Sequence, residues 1–217
     1  GSTPLDGDLT SERVTQILDW IHWPAADRSI DTGLTTCQSS QLGGNAWDYL
    51  NKVADTENGA VFIAGDGTVQ SRNRTHYLTQ GASLYTFGDD GGTDVPFSVV
   101  ELDYGEAQVS NEARISRLGG VTTVATNSTS VTTFGPNGLS REGLFHDTDQ
   151  ESKDHANYLV SSGVYGEPEL RVTRITVMPQ ANSTAAYPAV LGLALQTRAT
   201  VAWNPPGGGS EISQVSL

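Results

Sequence analysis

The chain has 217 residues, enough for one large domain or two small ones with a buried core. Hydrophobic residues make up 36% and charged residues 17% of it, and both shares are lower than in most globular proteins. The 25 acidic and 12 basic residues give a formal net charge of −13, which repels phosphate backbones and anionic membrane surfaces. This balance argues against a nucleic-acid-binding protein.

The composition favours a β-rich fold. Glycine is present 24 times and threonine is equally frequent, which is typical of short exposed strands joined by tight turns. The most apolar stretch, residues 185–195, is short and contains Pro188 and Gly192, so we expect no membrane insertion. The N-terminus lacks the regions of a signal peptide, and its Gly1-Ser2 start is typical of a cleaved tag, so we expect a fragment of a longer protein.

Two helices and a hairpin are predicted in the first third of the chain. Apolar residues at helical spacing predict a helix over residues 10–21, capped by Thr10 or Ser11 and ended before Pro24. A second helix is predicted over residues 45–55, with Asn58-Gly59 as its C-terminal cap. A β-hairpin follows around Gly65-Asp66-Gly67, with strands over 60–64 and 68–72.

The rest of the chain is predicted to be mostly strands. Residues 88–94 are a polar loop, and a hinge is expected within 88–105. Thr-rich patterns predict three strands, then a helix opened by acidic residues, then two more strands. The predicted strands are 113–118, 121–126, 130–134, 170–178 and 198–203, and the helix is 148–161.

The four histidines are candidates for catalysis or metal binding, because imidazole titrates near neutral pH and ligates transition metals. No two of them have the spacing of a metal-ligand motif. His146 together with Asp147, Asp149 and Glu151 is a candidate cation site, but compensation of the helix dipole explains these acids more simply. The four histidines are His22, His76, His146 and His155.

Other motifs give equally weak signals. Asp89, Asp90 and Asp94 carry oxygen ligands suited to calcium, but their spacing departs from the usual calcium loop, and a solvated loop is favoured. The sequence has no serine-hydrolase elbow, phosphate-binding loop or zinc-protease motif. Cys37 is the only cysteine in the sequence, so an internal disulfide is excluded. We expect its side chain to fill a small space in the core. The sequence therefore predicts no catalytic, cofactor-binding or metal-binding residues.

Two alternatives of another class stay open. Exposed tryptophans would make a sugar-stacking platform, although packing in a core or an interface is favoured for them. Paired carboxylates for glycan hydrolysis are recognisable only from their separation in space. The tryptophans are Trp20, Trp23, Trp47 and Trp203.

The order of several motifs resembles that of the minor tail proteins of actinobacterial siphophages, over residues 10–215. The motifs include Arg13-Val14, Ile17-Leu18-Asp19, Asp27-Arg28-Ser29-Ile30-Asp31, Gly33, Glu57-Asn58-Gly59 and Gly65-Asp66-Gly67. They continue with Val109-Ser110-Asn111-Glu112, Phe134-Gly135, Leu170-Arg171-Val172, Thr200-Val201 and Pro205-Pro206-Gly207-Gly208.

The resemblance implies the fold of phage tail-hub proteins: α+β and β-rich. It implies a mixed α/β insertion-type subdomain over 1–105, followed by a truncated β-barrel-like subdomain over 106–217. The implied function is structural and non-enzymatic, joining the tail tube to the host-recognition apparatus at the virion's tail tip, after assembly in the bacterial cytoplasm. Its implied partners are other tail proteins and two further copies in a full-length homotrimer, with no cofactor. A carbohydrate- or cell-surface-binding module, contacting a host glycan, is the alternative, and a glycan-degrading enzyme is the third.

Overall fold

Helices and strands are mixed along the chain. The computed structural model describes residues 7–41, 43–105, 108–161, 164–205, 207 and 211–216. The helices are α1 Thr10–Trp20, α2 Ala46–Glu57, α3 His76–Thr79, α4 Ser128–Phe134, α5 Asp149–Leu159 and α6 Ser183–Gly192. The strands are β1 Asp8–Leu9, β2 Arg28–Ile30, β3 Thr36–Cys37, β4 Ala60–Ile63, β5 Val69–Arg72, β6 Tyr85–Gly88, β7 Val95–Pro96, β8 Val99–Asp103, β9 Glu112–Arg117, β10 Thr123–Thr126, β11 Gly138–Leu144, β12 Arg171–Thr176, β13 Ala199–Trp203 and β14 Ile212–Ser216.

The chain forms two compact units that are interleaved in sequence. The first unit takes residues 1–76 and 106–168, and the second takes 77–105 and 169–217. The chain passes from one unit to the other after residue 105, where a boundary was expected. The division into sequential subdomains 1–105 and 106–217 stays a prediction.

The first unit contains three small sheets. β1 pairs with β3, and β5 lies between β2 and β4, forming the predicted hairpin with β4. In the third sheet β9 lies between β10, its hairpin partner, and β11, which runs parallel to it. Two apolar clusters support these sheets: α1 and α2 pack together with Phe145, and α5 packs on β9 and β10.

The second unit contains a four-stranded sheet with the order β14-β13-β6-β7 and a two-stranded ribbon of β8 and β12. Its core includes Phe87 and Val95 from the sheet, with Ala186 and Ala189 from α6. No sheet in the described part of the chain closes into a barrel. The mixed α+β class is confirmed, but the barrel is not seen: the strands after residue 106 divide between the two units and pair within separate open sheets.

The three predicted helices form, and their ends have local causes. Asn45 accepts a hydrogen bond from the Trp47 N–H at the start of α2, and Asn58 ends that helix in the left-handed conformation, with φ of 54°. Thr148 caps α5 by accepting from the Glu151 N–H. Thr10 does not cap α1, because its hydroxyl donates to the Glu57 carboxylate instead.

The strand predicted over residues 130–134 is wrong, because these residues belong to helix α4. Asn127 accepts from the Ser130 N–H and starts the helix. The hydroxyls of Thr132 and Thr133 donate to carbonyls four residues earlier, an arrangement that lets threonine sit in a helix. The preference of threonine for strands is therefore overridden by a local cap.

Several further elements were not predicted: β1, β2, β3, α3, β6, β7, β8, β11, α6 and β14. β11 begins in a glycine-rich turn and mixes polar with apolar residues, so its sequence carries little strand signal. α6 contains Pro188, which normally argues against a helix. None of the helices in the described residues is long and apolar enough to cross a membrane.

Candidate functional site

A cavity of about 170 Å³ in the first unit brings together residues from four parts of the chain. It contains two of the four candidate histidines, His146 and His155, and two carboxylates, of which Glu151 belongs to the candidate cation site of the sequence analysis. Because it combines ionisable groups with a concave shape, it is the candidate site on this unit. Its lining residues are Leu34, Thr35, Arg74, His146, Glu151, Asp154 and His155.

Beside the cavity, the buried Glu57 carboxylate fixes the extended segment before β3. Its Oε2 accepts from the Thr10 hydroxyl at 2.6 Å and from the backbone N–H groups of Leu34 and Thr35 at 3.0 and 3.1 Å. Its Oε1 accepts from Arg74 Nε at 3.3 Å. Four donors thus satisfy this charge, as a buried carboxylate requires. Glu57 acts as a structural clamp.

Glu151 holds the same segment from the other side. Its Oε1 accepts from the Thr36 N–H at 3.2 Å and from the Thr36 hydroxyl. Its Oε2 accepts from the N–H groups of Asp147 and Thr148 at 2.9 and 3.2 Å, completing the capping box of α5. Both oxygens of Glu151 are therefore occupied by the fold.

His146 and His155 form a buried pair. His155 Nδ1 lies 3.2 Å from His146 Nε2, and that same His146 nitrogen lies 3.2 Å from the Thr56 carbonyl oxygen. A carbonyl accepts only, so His146 Nε2 carries the proton. His146 Nδ1 then accepts from the Ser152 hydroxyl at 3.0 Å.

This arrangement also fixes the protonation of His155. Because His146 Nε2 carries a proton, His155 Nδ1 faces it as an acceptor, and the His155 proton sits on Nε2. That Nε2 is enclosed and has no hydrogen-bond partner among the described residues.

Both histidines are neutral in the folded protein. Burial, and secondarily the electrostatic interactions with His146, Arg141 and Arg74, lower the pKa of His155 from 6.5 to about 3. Burial also lowers the pKa of His146. The pKa of His155 is thus far below neutral pH, where a general acid or base working at that pH needs it to be close to 7.

Two other members of the proposed acidic cation site, Asp149 and Glu151, are used by the fold. Asp149 accepts from Arg117 Nε at 2.7 Å, and Glu151 is occupied as described. The start of α5 is thus a capped helix end supported by an ion pair. In the ranges that the structure describes, no group of three or more His, Cys, Asp or Glu side chains is arranged to hold a metal ion.

The acidic loop proposed for calcium lies in the second unit and forms turns. Asp89 accepts from the Asn204 backbone N–H at 3.0 Å and from its side-chain amide at 2.8 Å. Asp90 accepts from the Gly92 N–H at 2.9 Å, which is the hydrogen bond of an Asx turn. Asp89 and Asp90 thus accept hydrogen bonds from different parts of the chain.

His22 and His76 lie apart from the cavity lining. His22 is exposed and, with φ of 58°, ends α1 in the left-handed region. His76 Nδ1 lies 2.7 Å from Asp31 Oδ2, and Arg72 donates to the other Asp31 oxygen at 3.0 Å. This cluster ties the end of β5 to the segment after β2.

The four tryptophans do not share one role. Trp203 is buried in the second unit, and Trp23 packs against the core of the first unit. Trp20 on α1 and Trp47 on α2 are 38% and 39% exposed. Packing accounts for Trp203 and Trp23, and the other two are surface residues.

Cys37 is buried in the core of the first unit, as expected of a small filler. Burial raises the pKa of its thiol from 9.0 to about 12. The sequence analysis missed three charged residues that organise this unit: Glu57, Arg74 and Arg13. Arg13 is fully buried and donates to Ser40 Oγ and the Gln38 carbonyl at 2.8 and 3.0 Å. Its position on the apolar face of α1, beside Val14 and Ile17, was the available signal.

No known protein family and no curated protein sequence matches this chain. Among solved structures, it is similar to a tail protein from Neisseria meningitidis MC58, with a TM-score of 0.51 and 10% identity, over 99% of this chain and 62% of that one. The prophage tail protein gp18 from Listeria monocytogenes EGD-e gives 0.45 and 10%, over 96% and 59%. The 43 kDa tail protein of prophage MuSo2 from Shewanella oneidensis gives 0.44 and 9%, over 71% and 43%.

The chain spans less than two thirds of the length of each of these tail proteins. At 10% identity, the similarity to the Neisseria protein concerns the fold and extends over nearly all of this chain. The chain thus has a fold similar to that of the Neisseria tail protein.

Proposed function

We propose that the protein is a structural component of a phage tail. The observation that carries this proposal is the similarity of its whole fold, over 99% of the chain, to the Neisseria tail protein. Function does not follow from fold alone, so the proposal also draws on what the side chains of the candidate site do.

Those side chains are consistent with a structural role. The Glu57 and Glu151 carboxylates hold backbone N–H groups of one extended segment, and the two histidines are buried and neutral. A catalytic constellation needs a base or nucleophile free to meet a substrate. The groups around the cavity are instead engaged in holding the first unit together, which supports a non-enzymatic protein.

The finer proposal locates the protein at the tail tip, as part of the hub that joins the tail tube to the host-recognition apparatus. Its support is the collinear order of motifs shared with minor tail proteins of actinobacterial siphophages. The partners would be other tail proteins and, in the full-length protein, two further copies in a homotrimer. The net charge of −13 keeps such a subunit soluble before assembly.

A carbohydrate- or cell-surface-binding module is the second candidate. Trp20 and Trp47 are each more than a third exposed, and tryptophan faces stack on sugar rings. A screen of host cell-wall glycans with wild type and with a Trp20→Ala, Trp47→Ala double variant tests this candidate. Binding that the double variant loses would favour it over a purely structural role.

The structural proposal is tested on phage particles produced by the strain that encodes the chain. Antibodies raised against the 217-residue protein are bound to purified particles and located by gold labelling in electron microscopy. Label at the distal end of the tail is the expected result. Label along the tube would overturn the tip assignment. Particles that carry no label and yield no peptides of this protein in mass spectrometry would overturn the structural role.

A further inference from the structure

Two asparagines of the chain, Asn58 and Asn137, are followed directly by glycine. In such a pair the backbone nitrogen of the glycine can attack the side-chain amide of the asparagine, because a glycine leaves that approach unhindered. The reaction needs a glycine nitrogen that is not held by a hydrogen bond and an asparagine side chain that can turn towards it. The two pairs differ on both points.

The fold protects the first pair, Asn58 and Gly59. Asn58 ends α2 with φ of 54°, and the Gly59 N–H donates to the Ala54 carbonyl at 2.9 Å. The Asn58 Oδ1 accepts from Arg141 Nη1 at 2.8 Å. The attacking nitrogen and the side chain that it would attack are therefore both engaged in hydrogen bonds.

In the second pair, Gly138 directs its N–H to the outer edge of a sheet. Gly138 is the first residue of β11 and pairs with Glu112 of β9, whose N–H donates to the Asn137 carbonyl at 3.1 Å. Successive residues of a strand direct their backbone groups to opposite edges, so the Gly138 N–H points away from β9. No strand in the described part of the chain pairs with that edge of β11. The neighbouring Asn137 side chain is exposed.

Asn111 positions the turn that contains this second pair. It is fully buried, and its Nδ2 donates to the Gly135 carbonyl at 2.7 Å. Its Oδ1 accepts from the Asn137 N–H at 2.8 Å, and its own N–H donates to the Asn137 carbonyl at 2.9 Å. Asn111 therefore binds Asn137 through both backbone groups, and this fit depends on their spacing along the main chain.

We propose that Asn137 is a site of spontaneous deamidation and that its isoaspartate product loosens the start of β11. The Gly138 nitrogen bonds to Cγ of Asn137, and its proton passes through water to the amide nitrogen, which leaves as ammonia when the Cγ–Nδ2 bond breaks. Water then opens the resulting imide ring at one of its two carbonyls. The net reaction consumes water, releases ammonia and changes no oxidation state.

The two ways of opening the ring have different structural effects. Opening at the backbone carbonyl gives isoaspartate, in which the main chain runs through Cγ and is longer by one methylene. The N–H of residue 137 and the carbonyl linked to Gly138 then no longer both fit Asn111. Opening at Cγ gives ordinary aspartate, which leaves the main chain unchanged. Isoaspartate should therefore destabilise the first unit, and aspartate should not.

The rate depends on local opening at the start of β11. The attack turns the Asn137 carbonyl away from the N–H groups of Asn111 and Glu112, so these two hydrogen bonds break first. The end of an edge strand opens at a lower free energy than a packed core. We therefore expect Asn137 to react faster than Asn58, because α2 lies in the core of the first unit.

Peptide mapping by mass spectrometry follows both sites while the 217-residue protein is kept at mildly alkaline pH. Trypsin places them in separate peptides, 53–72 and 118–141, and deamidation adds about 1 Da. In the folded protein Asn137 should convert at least about ten-fold faster than Asn58, whereas in urea the two rates should be similar. Equal rates in the folded protein, or an Asn137 that stays intact there, would overturn the proposal.

Two variants separate the chemistry from its structural effect. In Gly138→Ala the new Cβ meets only the Glu112 carbonyl oxygen, at 3.9 Å, so the fold is kept while the methyl group hinders the attack. Asn137→Asp carries the charge of the product on an unchanged main chain. Both variants also test whether any loss of stability has another cause than isoaspartate.

Urea denaturation measures the structural effect. Aged wild type, in which an isoaspartate-specific methyltransferase detects the product, should have a lower urea midpoint than fresh wild type. Aged Gly138→Ala and fresh Asn137→Asp should unfold like fresh wild type. An unchanged midpoint in wild type that contains isoaspartate would refute the loosening of β11. An equal loss of stability in fresh Asn137→Asp would refute it as well, because the added charge would then explain the effect.

Discussion

His155 Nδ1 lies 3.2 Å from His146 Nε2 inside the first unit, and the two rings meet edge to face at 77°. The contact links α5 with the residue that forms a bridge to Cys37. One proton lies between the two nitrogens, donated by His146. A further proton on His155 Nδ1 would place a positive charge in a buried space, against the N–H of His146, so the pair favours the neutral state.

Stability should fall as the pH falls below 6.5. A group whose folded pKa is lower than its unfolded pKa stabilises the fold above the unfolded value and loses that contribution as pH falls towards the folded value. For His155 the window runs from 6.5 to about 3. Between pH 7.5 and pH 5 we expect about 2 kcal/mol of unfolding free energy to be lost through this residue.

Urea denaturation at the two pH values measures this loss, with His155→Leu as the test variant. Between pH 7.5 and pH 5 the unfolding free energy of His155→Leu should fall by about 2 kcal/mol less than that of wild type. His22→Asn changes an exposed histidine and keeps a residue that tolerates the left-handed conformation, so its pH dependence should equal that of wild type. An unchanged pH dependence in His155→Leu would contradict the neutral buried pair.

Glu57→Gln should destabilise the first unit by about 1–3 kcal/mol. The amide retains one acceptor oxygen but places an NH₂ group against donors, where the carboxylate satisfied four of them. Glu142→Gln alters an exposed residue and is the matched control, with an expected change below about 0.5 kcal/mol. Equal urea midpoints for the two variants would show that Glu57 is not a clamp.

Gly33→Ala should destabilise the protein by about 1–3 kcal/mol through overpacking. A Cβ at Gly33 would lie 2.2 Å from Thr10 Oγ1 and 2.8 Å from the Ser11 nitrogen, at the hydroxyl that donates to Glu57. A Cβ at Gly65 meets nothing within 4 Å, so Gly65→Ala is the control. Thermal unfolding compares the two, and a tolerated Gly33→Ala would contradict the close packing of α1 on this segment.

Cys37 should react with a thiol reagent only when the protein opens. Burial raises its pKa to about 12, so the nucleophilic thiolate is scarce at pH 8, and the side chain is enclosed. Reaction with DTNB should be slow in buffer and complete within seconds in denaturant. Rapid modification in buffer would contradict a closed core around β3.

The elements that the sequence predicted correctly are those with local causes. The apolar spacing of Val14, Ile17 and Leu18 defines α1, and the Asp-Gly turn defines the hairpin of β4 and β5. α4 was predicted as a strand because the pattern of threonines was weighed and the cap at Asn127 was not. The hydrogen bond from the Ser130 N–H to Asn127 starts helix α4, where composition alone predicts a strand.

The candidate site was only partly predictable. His146 and Glu151 stood out as ionisable residues near a helix start, but their partners come from far along the chain. Glu151 bonds to Thr36, and His146 approaches the Thr56 carbonyl. No spacing rule links residues about a hundred positions apart, because the fold brings them together. The buried Glu57 was missed for the same reason, whereas Arg13 had a local signal in its position on the apolar face of α1.

The interleaving of the two units affects how the chain folds during its synthesis. Phe145 completes the apolar cluster of α1 and α2, so that cluster stays incomplete until residue 145 has been synthesised. Contacts of such long sequence separation slow folding and leave early segments exposed. In the nascent chain, α1 and α2 therefore stay partly uncovered during this interval. Apolar surface exposed in this way is what chaperones bind when they hold unfinished polypeptides.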